Sequence, residues 1–190
     1  MRMIPDTPHG THSQAEKRVF DRLCAAFASE QDGVFTAYHS LNLTRHAYKR
    51  FGEIDFLICC PHGIFALEVK GGRVGCHNGI WQYTNRYGDV TESNEGPFKQ
   101  AESALHGLMA NLRANLPDRV VAQFSIGYGV IFPDCEWPVS GAEWDAKTVA
   151  DARGYKDIER WLEKLFQYWR GKDGGHRHPT APALKELRHY

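Results

Sequence analysis

Two stretches of the chain decide its fold: FGEIDFLI at residues 51–58 and GIFALEVKG at residues 63–71. Apolar residues with high β-propensity fill both stretches, which predicts two neighbouring core strands. Between them, Pro61-His62-Gly63 supplies a turn, because proline presets one backbone angle and glycine tolerates the conformations that close a short loop. The predicted element is therefore a hairpin in the core of a sheet.

Four charged residues lie within these apolar strands: Glu53 and Asp55 in the first, and Glu68 and Lys70 in the second. Asp55, Glu68 and Lys70 are the candidates for a site. Residues two apart on a strand point to the same face, so Glu68 and Lys70 are expected side by side, and the hairpin brings Asp55 towards them. Buried charges need a compensating partner, and two carboxylates can hold Mg²⁺ or Mn²⁺, which prefer oxygen ligands. Lys70 could then hold or help deprotonate a water at the metal, an arrangement suited to phosphodiester hydrolysis.

The alternative is that Glu68 and Lys70 form a solvated pair at a strand edge, which would contribute little free energy. The surrounding residues argue against it, because they leave almost no polar face on either strand. These residues are Ile54, Phe56, Leu57, Ile58, Ile64, Phe65, Leu67 and Val69. The pattern favours a buried site.

Further motifs occur in a fixed order around the two strands. The strands themselves contain Gly-Glu-Ile-Asp-Phe at 52–56 and Gly-Ile-Phe-Ala-Leu-Glu-Val-Lys-Gly at 63–71. The other motifs are a helix carrying Glu16, a hairpin around Trp81, a helix start at Pro97, Gln100 and Ala101, and a strand ending at residues 130–133. Taken together, they resemble the nuclease-related domain (NERD) family, a branch of the PD-(D/E)XK nuclease superfamily.

The resemblance implies an α/β fold with a mixed central β-sheet flanked by helices, like that of restriction endonucleases. The residues that it places in the catalytic site are Lys70, Glu16, Asp55, Glu68 and Gln100. Asp55 and Glu68 would hold the metal, together with Val69. The implied cofactor is Mg²⁺ or Mn²⁺.

The implied activity is metal-dependent hydrolysis of DNA phosphodiester bonds, in DNA processing, repair or defence against foreign DNA. Two other functions stay open: a non-catalytic nucleic-acid-binding or targeting module of a larger protein, and a structural domain in which Glu68 and Lys70 only pair with each other. The expected partners are DNA and a helicase, kinase or other domain fused at the C-terminus, with a homodimer as an open alternative. The chain itself has no Gly-x-x-x-x-Gly-Lys-Ser/Thr loop and is not expected to be a helicase or ATPase.

Glu16 and Gln100 each have a second interpretation. Ser13-x-x-Glu16 is also the pattern of a capping box, in which the glutamate reaches back to the serine N–H. Gln100 opens a helix and borders its apolar stripe, so it could reach the acid cluster or only satisfy backbone groups in the first turn.

The length of 190 residues, with 42% hydrophobic and 24% charged content, fits one soluble domain, predicted at residues 1–170. The N-terminus lacks the apolar region of a signal peptide, and no stretch is long enough to cross a bilayer. A cytoplasmic location without membrane contact is therefore expected.

A formal net charge of zero means that any nucleic-acid binding must come from local patches. One candidate patch is Arg45, His46, Lys49 and Arg50, and another is Arg73 with Arg86. Each could contact phosphates, and each could equally be an ordinary solvated surface. Trp81 and Tyr83 could stack on bases, but packing against the sheet is the favoured role for aromatics on a hairpin.

The five cysteines follow no Cys-x-x-Cys spacing, so reduced structural thiols are expected. A zinc site of Cys76, His77 and Cys135 is a weak alternative because its spacing is poor.

Periodicity predicts helices at 13–28, 97–116 and 155–170, and strands at 34–43, 53–60, 63–71, 73–77, 80–84 and 120–132. Residues 171–190 are expected to be a flexible linker and tail, because 171–179 are rich in glycine and polar residues. The short apolar pattern at 184–187 has too few partners to hold a helix alone, so this segment is expected to dock weakly or not at all.

Overall fold

A computed structural model describes residues 1–31, 33–43, 52–139 and 141–189. Its strands are β1 (Arg2–Ile4), β2 (Thr36–Leu43), β3 (Gly52–Cys60), β4 (Gly63–Val69), β5 (Arg73–His77), β6 (Ile80–Thr84), β7 (Val90–Ser93), β8 (Ile126–Ile131) and β9 (Val149–Ala150). Its α-helices are α1 (Gln14–Ala25), α2 (Pro97–Asn115), α3 (Asp118–Val121), α4 (Ala152–Lys156), α5 (Ile158–Lys172) and α6 (Ala181–His189). None of these helices is long and apolar enough to cross a membrane.

The main sheet has six strands in the order β1-β2-β3-β4-β8-β9. The pairs β2–β3 and β3–β4 are antiparallel, whereas β1–β2, β4–β8 and β8–β9 are parallel. This mixed sheet, flanked by helices, confirms the predicted fold class.

The predicted hairpin, β3 and β4, occupies the two central positions of this sheet. The predicted turn between the strands is confirmed, but it consists of Pro61 and His62 only, because Gly63 pairs with Cys60 and begins β4. Every residue of β4 is buried, because strands β3 and β8 cover its two edges and helices cover its faces. Glu68, the charged residue of this strand, is therefore held in the interior.

Strands β5, β6 and β7 form a separate antiparallel sheet. Asn78 and Gly79 have φ values of 53° and 78°, the positive φ that a two-residue hairpin turn requires, and the bounds predicted for β5 and β6 are confirmed. Strands β1, β7 and β9 were missed by the prediction because all three are short and carry little apolar periodicity.

Helices cover both faces of the main sheet. On one face, α1 and α5 pack on β3 and β4 through Val19, Phe20, Leu23, Leu162, Leu165 and Phe166. On the other face, α2 packs through Ala104, Leu105, Leu108 and Leu112. A third cluster around Trp81, Phe98 and Phe132 joins the three-stranded sheet to the start of α2 and the end of β8. Trp81 is only 2% exposed, which confirms its favoured role in the core.

Two predicted elements are wrong in part. The strand predicted at 120–132 begins only at Ile126, because Pro117 and Asp118 start the short helix α3, in which Val120 and Val121 are buried. The helix predicted at 155–170 is two helices, α4 and α5, with a break at Asp157, whose φ of −122° and ψ of 60° are not helical. Local turn chemistry outweighed the apolar periodicity in both places.

The expectation that residues 171–190 form a weakly docked tail is also wrong. Helix α5 continues to Lys172, and α6 buries Ala183, Leu184 and Leu187 in the same cluster as α2. Thr180 donates from its N–H and its hydroxyl to Gln123 Oε1, at 3.1 and 3.0 Å. The segment docks because the sheet and α2 present an apolar surface that complements its short stripe.

Candidate metal and catalytic site

Asp55 and Glu68 come together at the open end of the central hairpin. The β3–β4 ladder ends at the pair Phe56 and Leu67, and the two acids are the next residues beyond it. Asp55 Oδ2 accepts a hydrogen bond of 2.7 Å from the Val69 N–H, which ties the strands together where the ladder stops. The prediction that the hairpin folds Asp55 back towards Glu68 is confirmed.

Lys70 follows the last residue of β4, because that strand ends at Val69 and not at Gly71 as predicted. Its N–H donates to the Ile131 carbonyl at 3.0 Å, so its backbone remains fixed to β8. Its ammonium lies 2.6 Å from Glu68 Oε1 and 5.9 Å from the centre of the Tyr83 ring. The Lys70 side chain is 28% exposed and that of Glu68 is 9% exposed, so the lysine forms the solvent side of this pair.

Burial and neighbouring negative charge raise the cost of ionising both acids. Burial raises the pKa of Asp55 well above its ordinary value, and the negative charge of Glu68 raises it further. Burial also raises the pKa of Glu68, although the Lys70 ammonium opposes this effect. Lys70 offsets the cost of ionising Glu68 more than that of Asp55, so a further cation beside Asp55 would favour its ionised form.

Burial alone would lower the pKa of Lys70, but the Glu68 carboxylate beside it outweighs burial, and the pKa is raised. Lys70 is therefore a protonated ammonium at neutral pH.

Glu16 belongs to the same cluster. Helix α1 is capped by Ser13, whose hydroxyl accepts from the Glu16 N–H at 3.3 Å. The Ser13 N–H donates to Thr11 Oγ1 at 3.0 Å, so the Glu16 carboxylate does not close a capping box. Its negative charge instead contributes to raising the pKa of Asp55 and of Glu68.

His39 on β2 is a residue that the sequence did not single out. Its side chain is fully buried between the rings of Phe20 and Phe56, with Nε2 3.8 Å from Glu16 Oε2. Neither ring nitrogen has a hydrogen-bond partner within the described part of the chain. Burial lowers its pKa, so the imidazole that faces Glu16 is neutral. A single histidine in a strand carries no signal that could have identified it from sequence.

Gln100 lies in the first turn of α2, and its N–H donates to the Gly96 carbonyl at 3.0 Å. Its side chain is partly buried. The structure thus places Gln100 in the first turn of the predicted helix.

The donor set for a metal is small. Across residues 1–31, 33–43, 52–139 and 141–189, no three side chains of His, Cys, Asp or Glu are grouped closely enough to hold an ion. Asp55 and Glu68 supply two carboxylates, and Val69 has only its backbone carbonyl to offer. Two or three protein oxygens fit Mg²⁺, which usually keeps several waters.

The alternative zinc site of Cys76, His77 and Cys135 is not assembled within this described part either. All five cysteines are free thiols, and burial raises the pKa of Cys59 to about 12, so that thiol is unreactive.

The basic patch of Arg45, His46, Lys49 and Arg50 lies outside the described residues. Arg73 and Arg86, the other candidate patch, are both exposed and lie at one end of the three-stranded sheet.

A model of the nuclease-related domain, NERD, matches residues 11–133, close to two thirds of the chain. The chain belongs to the NERD family. The matched region includes Glu16, Asp55, Glu68, Lys70 and Gln100. No curated protein and no solved structure matches the chain.

Proposed function

We propose that this NERD protein is a Mg²⁺- or Mn²⁺-dependent nuclease that hydrolyses DNA phosphodiester bonds, in DNA processing, repair or defence against foreign DNA. The supporting observation is the meeting of Asp55, Glu68 and Lys70 at one end of the central hairpin. The Val69 N–H holds Asp55 at 2.7 Å, and the Lys70 ammonium holds Glu68 at 2.6 Å. Few structural roles require two acids and a lysine together at the end of an apolar hairpin.

The acids supply the affinity for a cation. Since the pKa of both Asp55 and Glu68 is raised by burial and by neighbouring negative charge, a divalent ion beside them relieves repulsion that the apoprotein retains. The Val69 carbonyl adds a third oxygen of the type that Mg²⁺ and Mn²⁺ prefer. When bound, such an ion neutralises charge on a phosphate and lowers the pKa of the attacking water.

Lys70 acts as a hydrogen-bond donor in this mechanism. Because the Glu68 carboxylate keeps its pKa raised, Lys70 carries a proton at neutral pH and cannot take one from water in this state. Its ammonium is suited to orienting the attacking water and to stabilising negative charge that develops on the phosphate. Glu16 is the neighbouring carboxylate that is available to accept a proton.

The test is cleavage of labelled single-stranded, duplex and branched DNA with and without Mg²⁺ or Mn²⁺, together with thermal melting in the same buffers. Lys70→Ala is expected to lower the cleavage rate roughly 10²- to 10⁴-fold. It should leave the thermal response to metal in place, whereas Asp55→Asn should abolish both cleavage and the response. Metal at about ten times its Kd adds about 1.4 kcal/mol to the free energy of unfolding. Lys164→Ala, an exposed lysine on α5, is the matched control.

Full activity of Lys70→Ala would refute the assigned chemistry. A wild-type protein that binds metal and DNA but cleaves none of the three substrates would instead be the non-catalytic binding module. If neither Mg²⁺ nor Mn²⁺ changes the melting temperature, Glu68 and Lys70 form only a structural ion pair.

A further inference from the structure

A wide cleft opens beside the acid cluster. It has a cavity volume of about 870 Å³ and is lined by the start of α1, the loop after β4 and the turn between β6 and β7. Gly71 and Gly72 in its lining directly follow Lys70, and Ala15 directly precedes Glu16. The residues that line the cleft thus border Lys70 and Glu16 along the chain.

Glycine at position 72 allows the two walls to approach each other. Gly72 has a φ of 79°, and a Cβ atom there would lie 2.2 Å from the Thr84 carbonyl oxygen. Asp134 fixes the same loop, because it accepts a hydrogen bond of 2.8 Å from the Gly72 N–H. The same carboxylate forms an ion pair with Arg18 on α1. The cleft is therefore a fixed part of the fold beside the site.

The lining is positively charged although the whole chain is neutral. It contains Arg18, Arg73 and Arg86 against the single acid Asp134, which leaves two positive charges in excess. Arg18 is the arginine that Asp134 neutralises. Both Arg73 and Arg86 are exposed and pair with no acid in the described part of the chain. Two uncompensated guanidinium groups are suited to binding phosphates.

Tyr87 gives the cleft an exposed aromatic face. It is 74% exposed, whereas Trp81 on the same hairpin is 2% exposed. Its turn is held by Asn85, whose Oδ1 accepts from the N–H groups of Tyr87 and Asp89 at 2.9 and 3.0 Å. The Arg86 guanidinium lies 4.7 Å from the centre of the Tyr87 ring, so charge and aromatic surface form one unit.

We propose that this cleft binds single-stranded DNA next to the scissile phosphate, with Arg73 and Arg86 on backbone phosphates and Tyr87 stacked on an unpaired base. The proposal rests on the proposed function, since the site beside the cleft is where the phosphodiester would be cut. Stacking on a side chain requires a base face that is free, and in a duplex both faces are covered by neighbouring base pairs. The combination of charge and exposed ring therefore selects an unpaired strand.

The test is fluorescence anisotropy with a labelled oligonucleotide of about 16 nucleotides, a length that fills a typical single-strand site. Measurements are made in EDTA, so that no cleavage occurs, and the same sequence is also offered as a duplex. The double variant Arg73→Gln/Arg86→Gln is expected to bind the single strand about tenfold or more weakly. The slope of log K against log salt should fall by about 1.4, at about 0.7 for each lost phosphate contact.

Tyr87→Leu is expected to weaken binding of the single strand roughly 5- to 100-fold and to leave duplex binding unchanged. Arg113→Gln is the matched control, since Arg113 is an exposed arginine on α2 outside the cleft. Melting temperatures equal to that of the wild type show that each variant is folded.

The proposal is overturned if the wild type does not bind the single strand, or if the double variant binds as well as Arg113→Gln. It is also overturned if Tyr87→Leu weakens single-strand and duplex binding equally. Failure of the proposed function looks different: the wild type then binds the single strand through these residues but cleaves nothing when Mg²⁺ or Mn²⁺ is added. If none of the three substitutions changes the cleavage rate, the proposed nuclease activity stands and the proposed role of the cleft in DNA binding is refuted.

Discussion

Leu184 anchors the C-terminal helix on the main sheet, and Leu184→Ala is expected to destabilise the whole domain. The side chain is 8% exposed and packs in the cluster that also contains Ala183, Leu187 and the apolar stripe of α2. Because α6 is short, its stability depends on this packing and little on its own helical propensity.

The size of the loss follows from burial. Truncating a buried leucine to alanine lowers the free energy of unfolding by about 2–5 kcal/mol in closed cores. Leu184 lies on a helix at the surface of the domain, so the expected loss is at the lower end of this range, about 2–3 kcal/mol. Leu187 borders an apolar groove of about 490 Å³, so its surroundings are already partly open and Leu187→Ala should cost less, about 1–2 kcal/mol. Lys185 on the same helix is exposed, and Lys185→Ala should change the free energy of unfolding by about 0.5 kcal/mol or less.

Urea unfolding followed by circular dichroism measures all three variants on one scale. For a chain of this length, 1 kcal/mol corresponds to about 2–4 °C, so Leu184→Ala should lower the melting temperature by roughly 4–12 °C. The expected order of loss is Leu184→Ala, then Leu187→Ala, then Lys185→Ala. If Leu184→Ala were as stable as Lys185→Ala, α6 would not be docked in solution and the tail would be free after all.

Two further predictions concern the acid cluster. The pKa of Asp55 and of Glu68 is raised in the folded protein, so in EDTA the folded state keeps protons that the unfolded chain releases. The contribution of these two acids to the free energy of unfolding should therefore fall as the pH rises from about 4 towards neutrality. Asp55→Asn keeps an acceptor for the Val69 N–H and removes the charge. Urea unfolding should therefore show this variant becoming more stable than the wild type as the pH rises. A difference in the free energy of unfolding that does not vary with pH would contradict the raised pKa of Asp55. Glu16→Gln should leave the melting temperature nearly unchanged, because its carboxylate does not cap α1, and should slow metal-dependent DNA cleavage by about 10²-fold; an unchanged rate would remove Glu16 from the mechanism.

The sequence by itself determined the central hairpin and its acids. Long apolar strands joined by a tight turn leave one register in which the apolar residues stay buried, so the relation of Asp55 to Glu68 and Lys70 follows from strand periodicity. The β5–β6 hairpin was equally predictable, because Asn78 and Gly79 specify the turn locally. In both cases the deciding interactions lie within a single hairpin, between strands that follow each other along the chain.

Only the tertiary structure brought Glu16 towards the acids and His39, since this approach depends on how α1 packs against the main sheet. The same holds for the C-terminal helix, whose short stripe is insufficient until α2 and the sheet present a surface to it. The cleft is a third case: Arg18, Arg73 and Tyr87 come from three separate segments. Contacts of this kind join residues far apart in sequence, and no local propensity or periodicity encodes them.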